Sequence, residues 1–220
     1  MRKICAVLMM FVLSACAPVR PLVAQTDQPS AGPVIMKLSF EGRIDSDSVN
    51  AAIRLMNQAK AAGADLLVIE INSGGGEVDA GFRWSRAIET YKLPIICVVE
   101  GEADSMAAYV LMSCPSRLMT KRSNIMIHAP SLSGDFYGQA KDFRDLSRQL
   151  EVATLAMAEH FAKHMGQPMA LIMAHMNDGD WWMEWTEALT VRAVDGIVDS
   201  PEAVVDALRN GQTPSIQTLP

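Results

Sequence analysis

The chain has 220 residues, half of them hydrophobic, and a formal net charge of −6. This length allows one α/β domain with a full hydrophobic core and little else. The chain is acidic and has no cluster of Lys and Arg, so the composition argues against a surface that binds the phosphates of a nucleic acid.

The N-terminus has the features of an export signal. A basic start, Met1-Arg2-Lys3, precedes an apolar run that is too short to span a bilayer. The run ends in Leu13-Ser14-Ala15-Cys16, which resembles the lipobox of bacterial lipoproteins. We therefore predict a lipoprotein signal peptide at 1–15 and lipidation of Cys16, which would hold the protein at the periplasmic face of a bacterial membrane, inner or outer. An ordinary secretory leader with Cys16 incidental is the alternative.

A proline-rich tether at 16–33 leads into a predicted domain at 34–208, and 209–220 is predicted to be a flexible tail. Within the domain, strand and helix patterns alternate, which favours parallel pairing through right-handed crossovers. In chain order the predicted strands are 34–40, 66–71, 95–99, 125–128 and 196–198. The predicted helices are 45–63, 78–91, 105–114, 139–165, a short helix after Pro168, 186–193 and 201–208.

Two cysteines, Cys97 and Cys114, fall inside the predicted domain. An exported pair could form a disulfide. However, Cys97 lies in a continuous apolar strand and Cys114 at the end of an apolar helix, so two buried free thiols are the favoured interpretation.

Three local patterns carry candidate chemistry. Gly74-Gly75-Gly76 joins a strand to a helix and lets backbone N–H groups turn toward one point, although Asp79 breaks the dinucleotide-binding fingerprint and no P-loop Gly-Lys-Ser/Thr follows. Ser105 stands at the next strand-to-helix turn, where its hydroxyl would lie near the free Met106 N–H. An N-capping serine would give the same pattern. His128 ends the following strand, a position that alone favours a structural histidine.

Taken together and in order, these motifs resemble the proteolytic subunit of the Clp protease. The resemblance runs from about Phe40 to Asp199, and the matching motifs are Ile-Asn-Ser-x-Gly-Gly at 71–76, Gly-x-Ala-x-Ser-Met at 101–106, Ile-Met-Ile-His-x-Pro at 125–130, Gly-Gln-Ala-x-Asp at 138–142 and His-x-Gly-Gln at 164–167. It implies an α/β fold, the crotonase-like ββα spiral with mostly parallel sheets in a single domain. It also implies assembly into rings, because the helix at 139–165 corresponds to the family's inter-ring handle.

The resemblance assigns roles to four residues. Ser105 is the implied nucleophile and His128 the implied general base, while Gly76 and Met106 supply the N–H groups of the oxyanion hole. In such a site the imidazole takes the hydroxyl proton, and a carboxylate holds its other ring nitrogen in the correct tautomer.

The carboxylate is ambiguous in the sequence. Spacing to the following Trp-Trp-Met-Glu segment selects Asp180, whereas counting from His164-Met165-Gly166-Gln167 lands on Gly179, so Asp178 is the alternative. The chain also departs from the family at Asp104, where a small residue is usual before the nucleophile. That carboxyl would either disfavour an alkoxide-like state or point to solvent.

The sequence therefore predicts a lipid-anchored serine endopeptidase that cleaves peptides or unfolded chains without ATP, forms a homo-oligomeric ring and uses no cofactor, nucleic acid or Clp ATPase. The alternatives are a non-catalytic scaffold on the same fold and a Ser–Lys peptidase with Lys121 or Lys141 as its base; acyl-CoA chemistry is least favoured.

His160 and His164 are four residues apart on one predicted helix, which is a spacing that can bind zinc. However, Phe161 stands where the motif His-Glu-x-x-His needs Glu, so no metal site is predicted.

Overall fold

The computed structural model describes residues 32–132, 134–135 and 137–218. The predicted signal peptide, the lipidation site Cys16 and nearly all of the tether lie outside the described residues. The described part confirms the predicted α/β class with mostly parallel strands. None of its helices is long and apolar enough to cross a bilayer.

Seven strands and seven helices make up the described part of the chain. The strands are β1 (Ile35–Glu41), β2 (Leu66–Ser73), β3 (Ile95–Asp104), β4 (Ser116–Thr120), β5 (Asn124–Ile127), β6 (Trp181–Glu184) and β7 (Gly196–Val198). The helices are α1 (Ser46–Ala61), α2 (Val78–Thr90), α3 (Met106–Met112), α4 (Ala140–Met165), α5 (Met169–Asp178), α6 (Trp185–Thr190) and α7 (Pro201–Arg209).

The sheet divides at β3. Strands β1, β2, β3, β4 and β7 lie side by side and parallel, and the first half of β3 pairs with β4. The second half, from Glu102 to Asp104, leaves β4 and pairs with β5, whose other edge carries the antiparallel β6. This change of partner explains why β3 is longer than the predicted 95–99. Strands β4 and β6 are absent from the sequence prediction.

The core lies mainly on one face of the sheet, under α1 to α5. Trp84 of α2 and Phe161 of α4 are among its largest fully buried side chains. A smaller cluster on the opposite face packs Val204 and Val205 of α7 against Val68 and Val98. Burial on both faces accounts for the continuous apolar runs of β2 and β3.

The segment after α7, predicted to be a flexible tail, pairs with the sheet at one point. Ile197 and Gln217 exchange two backbone hydrogen bonds, each 2.8 Å long. Gly196 leaves room for Ile216, because a Cβ at Gly196 would lie 2.1 Å from the Ile216 Cγ2 atom. These contacts hold the last described residues against β7.

Cys97 and Cys114 form a disulfide, so the expectation of two free thiols is wrong. Cys97 is in β3 and Cys114 follows α3, with a Cα–Cα distance of 6.0 Å, and both are buried. The apolar surroundings that favoured free thiols are equally compatible with a buried bridge, since connectivity depends on a contact that sequence spacing does not report. The bridge ties the end of α3 to the strand that leads into that helix.

Removing this disulfide is expected to lower the free energy of unfolding by about 3 kcal/mol, the loop-closure entropy for a loop of this size. Urea unfolding of the Cys97→Ala/Cys114→Ala variant against the native chain measures the difference. Unfolding of both proteins in dithiothreitol is the control, since reduction should remove most of the gap. Equal midpoints for the native chain with and without reductant would contradict the expectation.

Candidate active site

Ser105 occupies a strained turn between β3 and α3. Its backbone has φ 56° and ψ −118°, a conformation that residues other than glycine rarely adopt. The Ser105 N–H donates to the Met126 carbonyl oxygen at 2.8 Å, which fixes the turn to β5. A nucleophile elbow has this geometry, because the sharp turn lifts the hydroxyl away from the backbone at a helix N-terminus.

His128 lies against Ser105 because β3 and β5 are parallel neighbours. Their register places Asp104 opposite Met126, so the residues that follow each strand are also neighbours. The His128 Nε2 atom lies 2.8 Å from the Ser105 Oγ atom, within hydrogen-bond distance. The two residues that the motifs predicted as nucleophile and base are therefore in direct contact.

Asp180 reaches His128 through the antiparallel pairing of β5 and β6. Ile127 is opposite Trp181, so His128, just after β5, faces Asp180, just before β6. The Asp180 Oδ1 atom lies 3.2 Å from the His128 Nδ1 atom. Asp178, the alternative from the sequence, instead ends α5. The three side chains form a continuous Ser–His–Asp line.

Gly76 and Met106 both line the cavity that contains Ser105 and His128. Their backbone N–H groups make no hydrogen bond within the described residues. The glycine turn touches the nucleophile, because a Cβ at Gly75 would lie 2.8 Å from the Ser105 Cβ atom. At Gly76 a Cβ would lie 2.0 Å from the Ile44 carbonyl oxygen, so only glycine fits. The predicted oxyanion donors are thus beside the predicted nucleophile.

The cavity over Ser105 has a volume of about 690 Å³. Phe82 of α2 and Leu146, Leu150 and Met157 of α4 give it an apolar wall. The rest of the wall is polar and includes Arg43, Glu77 and Asp79. The apolar wall beside Ser105 could bind a side chain next to the reacting bond.

Asp104, immediately before the nucleophile, is 4% exposed and does not point to solvent. The Asn124 Nδ2 atom donates a hydrogen bond to its Oδ1 atom at 3.2 Å. Burial raises the pKa of the Asp104 carboxyl to about 7, and the neighbouring Glu102 carboxylate adds to that effect. The sequence analysis did not predict this effect of Glu102 on Asp104. Both residues belong to the last part of β3, beyond the predicted end of that strand at residue 99.

The raised pKa predicts a pH-dependent cost at Asp104. A carboxyl whose pKa is higher in the folded chain than in the unfolded chain destabilises folding progressively as pH rises from about 4 to about 7. We expect Asp104→Asn to raise the free energy of unfolding at pH 8 and to change it little at pH 4. Urea unfolding at both pH values measures this, with exposed Asp206→Asn as control. A stability gain that is the same at pH 4 and pH 8 would contradict the assignment.

The structure does not bring the alternative lysine bases to Ser105. The Lys121 Nζ atom lies over the Trp185 ring, 5.2 Å from its centroid. The Lys141 Nζ atom is 3.9 Å from the Asp145 carboxylate on the exposed side of α4. Within the described residues, His128 is the side chain that bonds the Ser105 hydroxyl.

Comparisons with known proteins agree with the motifs. Residues 35–201 match the family model described as Clp protease. The chain is 37% identical over 137 residues to the ATP-dependent Clp protease proteolytic subunit 1 of Chlamydia caviae, covering 61% of this chain and 71% of the relative. It is 33% identical over 173 residues to the subunit of the same name from Protochlamydia amoebophila, covering 76% of this chain and 82% of the relative. These matches confirm the resemblance drawn from the motifs and, with the mostly parallel sheet, the crotonase-like fold.

Proposed function

This chain belongs to the Clp protease family and is a serine peptidase, and we propose from that premise that it cleaves peptide bonds with Ser105, His128 and Asp180. The contacts of His128 with the Ser105 hydroxyl at 2.8 Å and the Asp180 carboxylate at 3.2 Å carry the proposal. A serine hydroxyl is activated when a base accepts its proton and a carboxylate orients that base, and these contacts provide both.

In the proposed reaction, the Ser105 Oγ atom attacks the scissile carbonyl carbon while the His128 Nε2 atom accepts the hydroxyl proton. The Asp180 carboxylate accepts a hydrogen bond from Nδ1–H and stabilises the imidazolium that forms. The N–H groups of Gly76 and Met106 bind the oxyanion, and one such donor commonly contributes about 3–4 kcal/mol. His128 then returns its proton to the leaving amine, and water releases the acyl group by the same steps in reverse.

We propose that the substrates are peptides or unfolded chains and that cleavage needs no ATP. The supporting argument is location: residues 1–16 carry the predicted lipoprotein signal, and an exported enzyme meets no ATP-driven unfoldase. The buried Cys97–Cys114 disulfide supports the same location, because disulfides persist chiefly in oxidising compartments outside the cytoplasm.

Hydrolysis of fluorogenic peptides with apolar residues before the scissile bond tests the function, using the intact chain with and without ATP. Equal turnover in both conditions is expected. Turnover that requires ATP and an added unfoldase would contradict ATP independence, and complete inertness of a folded chain would favour the non-catalytic scaffold.

Anchoring has its own test. A Cys16→Ser variant is expected to leave the membrane fraction while its peptidase activity is unchanged, and mass spectrometry of the native N-terminal peptide should find diacylglyceryl on Cys16. An unmodified Cys16 in the mature protein would contradict the lipoprotein assignment.

We also propose that the enzyme self-assembles through α4. Residues 140–155 of this helix are mostly exposed, yet they include Phe143, Val152 and Leu155, each about half exposed or more. Val152 and Leu155 are three residues apart and therefore lie on one face of the helix, and a contiguous exposed apolar patch marks an interaction surface. The relatives are named as proteolytic subunits, which supports a second copy of this chain as the partner.

A Leu155→Glu substitution is expected to shift the protein to a smaller species, because it places a charge in the proposed contact. Sedimentation velocity measures the change. Leu55→Glu on α1 is the matched control, since Leu55 and Leu155 are each 50% exposed. An unchanged assembly for Leu155→Glu, or the same loss for Leu55→Glu, would contradict the role of α4.

A further inference from the structure

A second cluster of ligating side chains lies at the other end of α3 from Ser105. His160 and His164 are on successive turns of α4, with ring centroids 4.4 Å apart. Glu89, in the last turn of α2, faces them, and one ligand atom from each of the three residues lies within 4.8 Å of the others. The motif His-x-x-x-His lacks its usual Glu in sequence, but the fold supplies a carboxylate from another helix.

His164 has a polar atom with nothing to bond. Its Nε2 atom is buried and has no hydrogen-bond partner in the described part of the chain. The closest carboxylate oxygen, Glu89 Oε1, is 3.9 Å away, beyond hydrogen-bond distance. A buried nitrogen left without a partner costs roughly 1–3 kcal/mol, so a third group between His164 and Glu89 would stabilise the fold.

His160 contacts its neighbours through one ring nitrogen. Its Nε2 atom lies 3.1 Å from the Tyr109 carbonyl oxygen and 3.3 Å from the Ser113 Oγ atom, and Tyr109 also stacks on the imidazole with centroids 4.0 Å apart. An N–H donated to that carbonyl leaves the lone pair on the other ring nitrogen. Metal-ligating imidazoles commonly donate their second nitrogen in this way, which fixes the tautomer and the ring orientation.

The charges around the cluster are compatible with a cation. Burial lowers the pKa of His160 to about 4 and also lowers that of His164, so both imidazoles are neutral and keep a lone pair at neutral pH. Arg117 is a nearby cation, but its guanidinium is 3.1 Å from the Asp195 carboxylate, which balances its charge. Lys163 is exposed.

Solvent can reach the cluster. A cavity of about 670 Å³ has Glu89 and His164 in its wall, together with Ser113 at the end of α3. Ser105 and Ser113 stand at opposite ends of α3, roughly 12 Å apart along a helix that rises 1.5 Å per residue. An ion held here would lie apart from the reacting groups and would cross-link α2 to α4.

We propose that Glu89, His160 and His164 bind one Zn²⁺ ion, with water in the fourth position. Two imidazoles and one carboxylate are a ligand set that zinc accepts in tetrahedral geometry, at about 2.0–2.2 Å per ligand. The three ligand atoms lie within 4.8 Å of one another and approach to about 3.4 Å when they share one tetrahedral ion. The ion satisfies the unpaired His164 nitrogen and stabilises the packing of α2 on α4, independently of peptide cleavage.

Isothermal titration of ZnCl₂ into the chelator-stripped intact chain, carrying no polyhistidine tag, tests the site. One zinc per chain with a Kd of about 1 μM or tighter is expected, together with a higher Tm in zinc. Glu89→Gln and His164→Gln should each weaken binding at least tenfold. His175→Gln and Glu159→Gln are the controls, because they remove a histidine and a carboxylate outside the cluster.

Binding that is unsaturable, or equally strong in Glu89→Gln and His164→Gln, would overturn the proposal. If His164→Gln proves unstable without metal, Glu89→Gln still decides the question, because Glu89 is exposed and its loss leaves the core intact. Absence of a zinc-dependent rise in Tm in the native chain would likewise overturn the proposal.

Discussion

Replacing Ser105 by Ala is expected to lower kcat/KM for a peptide substrate by about 10⁴-fold or more, since removal of a triad nucleophile leaves only the rate enhancement of the oxyanion hole and binding. His128→Ala should cause a loss of similar size. The double variant should be no worse than either single variant, because nucleophile and base act as one unit through their 2.8 Å contact.

Ser131→Ala is the matched control for this series. Ser131 borders the same cavity, but its hydroxyl makes no hydrogen bond to His128 among the described residues, so its removal should change kcat/KM only slightly. Peptidase activity that survives His128→Ala but not Ser105→Ala would favour a Ser–Lys mechanism. Activity that survives both substitutions would remove Ser105 from the reaction.

Asp180→Asn is expected to lower kcat by about 10⁴-fold while KM changes little. The amide keeps the shape of the side chain but donates where the carboxylate accepts, so it holds the imidazole in the wrong tautomer. Asp178→Asn is the control, because Asp178 lies at the end of α5 and only Asp180 reaches the His128 Nδ1 atom. Steady-state kinetics of both variants measure the difference.

An equal or larger effect of Asp178→Asn would contradict the assignment of the acid. The melting temperatures of both variants should stay near that of the native chain, because Asp178 and Asp180 are exposed. A variant that loses activity because it unfolds would therefore be recognised by its lower melting temperature.

The sequence prediction for Ser105, His128, Gly76 and Met106 depends on the resemblance to the Clp protease subunit, because each local pattern alone also had a structural explanation. Ser105 follows an apolar strand and precedes a helix, and a Cβ at Gly75 or Gly76 would collide with backbone atoms. A strand-to-helix turn is formed by residues that are close in sequence, so each turn can be predicted locally. The occurrence of all the motifs in the family's order then indicates that the turns belong to one site.

The acid was ambiguous because its position depends on a non-local pairing. Asp180 meets His128 only through the antiparallel contact of β5 with β6, two strands separated by the whole of α4 and α5. Gly179, with φ 137°, turns the chain between α5 and β6, and counting from the His164 motif does not report that turn. Alternate side chains of β6 are buried, but its sequence, Trp181-Trp182-Met183-Glu184, does not alternate between apolar and polar residues, so hydrophobic periodicity did not indicate this strand.

The disulfide and the Glu89–His164 contact were beyond sequence reasoning for the same reason. Cys97 and Cys114 are 17 residues apart, and nothing in the spacing indicates that α3 turns back along β3. Glu89 lies at the end of α2, far in sequence from the histidines of α4, and only the packing of the two helices brings them together.

Labelling with a fluorophosphonate probe tests the central claim most directly. The probe reacts only with a serine hydroxyl that a base has activated, and tandem mass spectrometry identifies the modified residue. We expect one adduct per chain, on Ser105, that is absent in His128→Ala and retained in Ser131→Ala. A folded native chain that takes up no probe, or takes it up on a different serine, would contradict the assignment of Ser105 as the nucleophile.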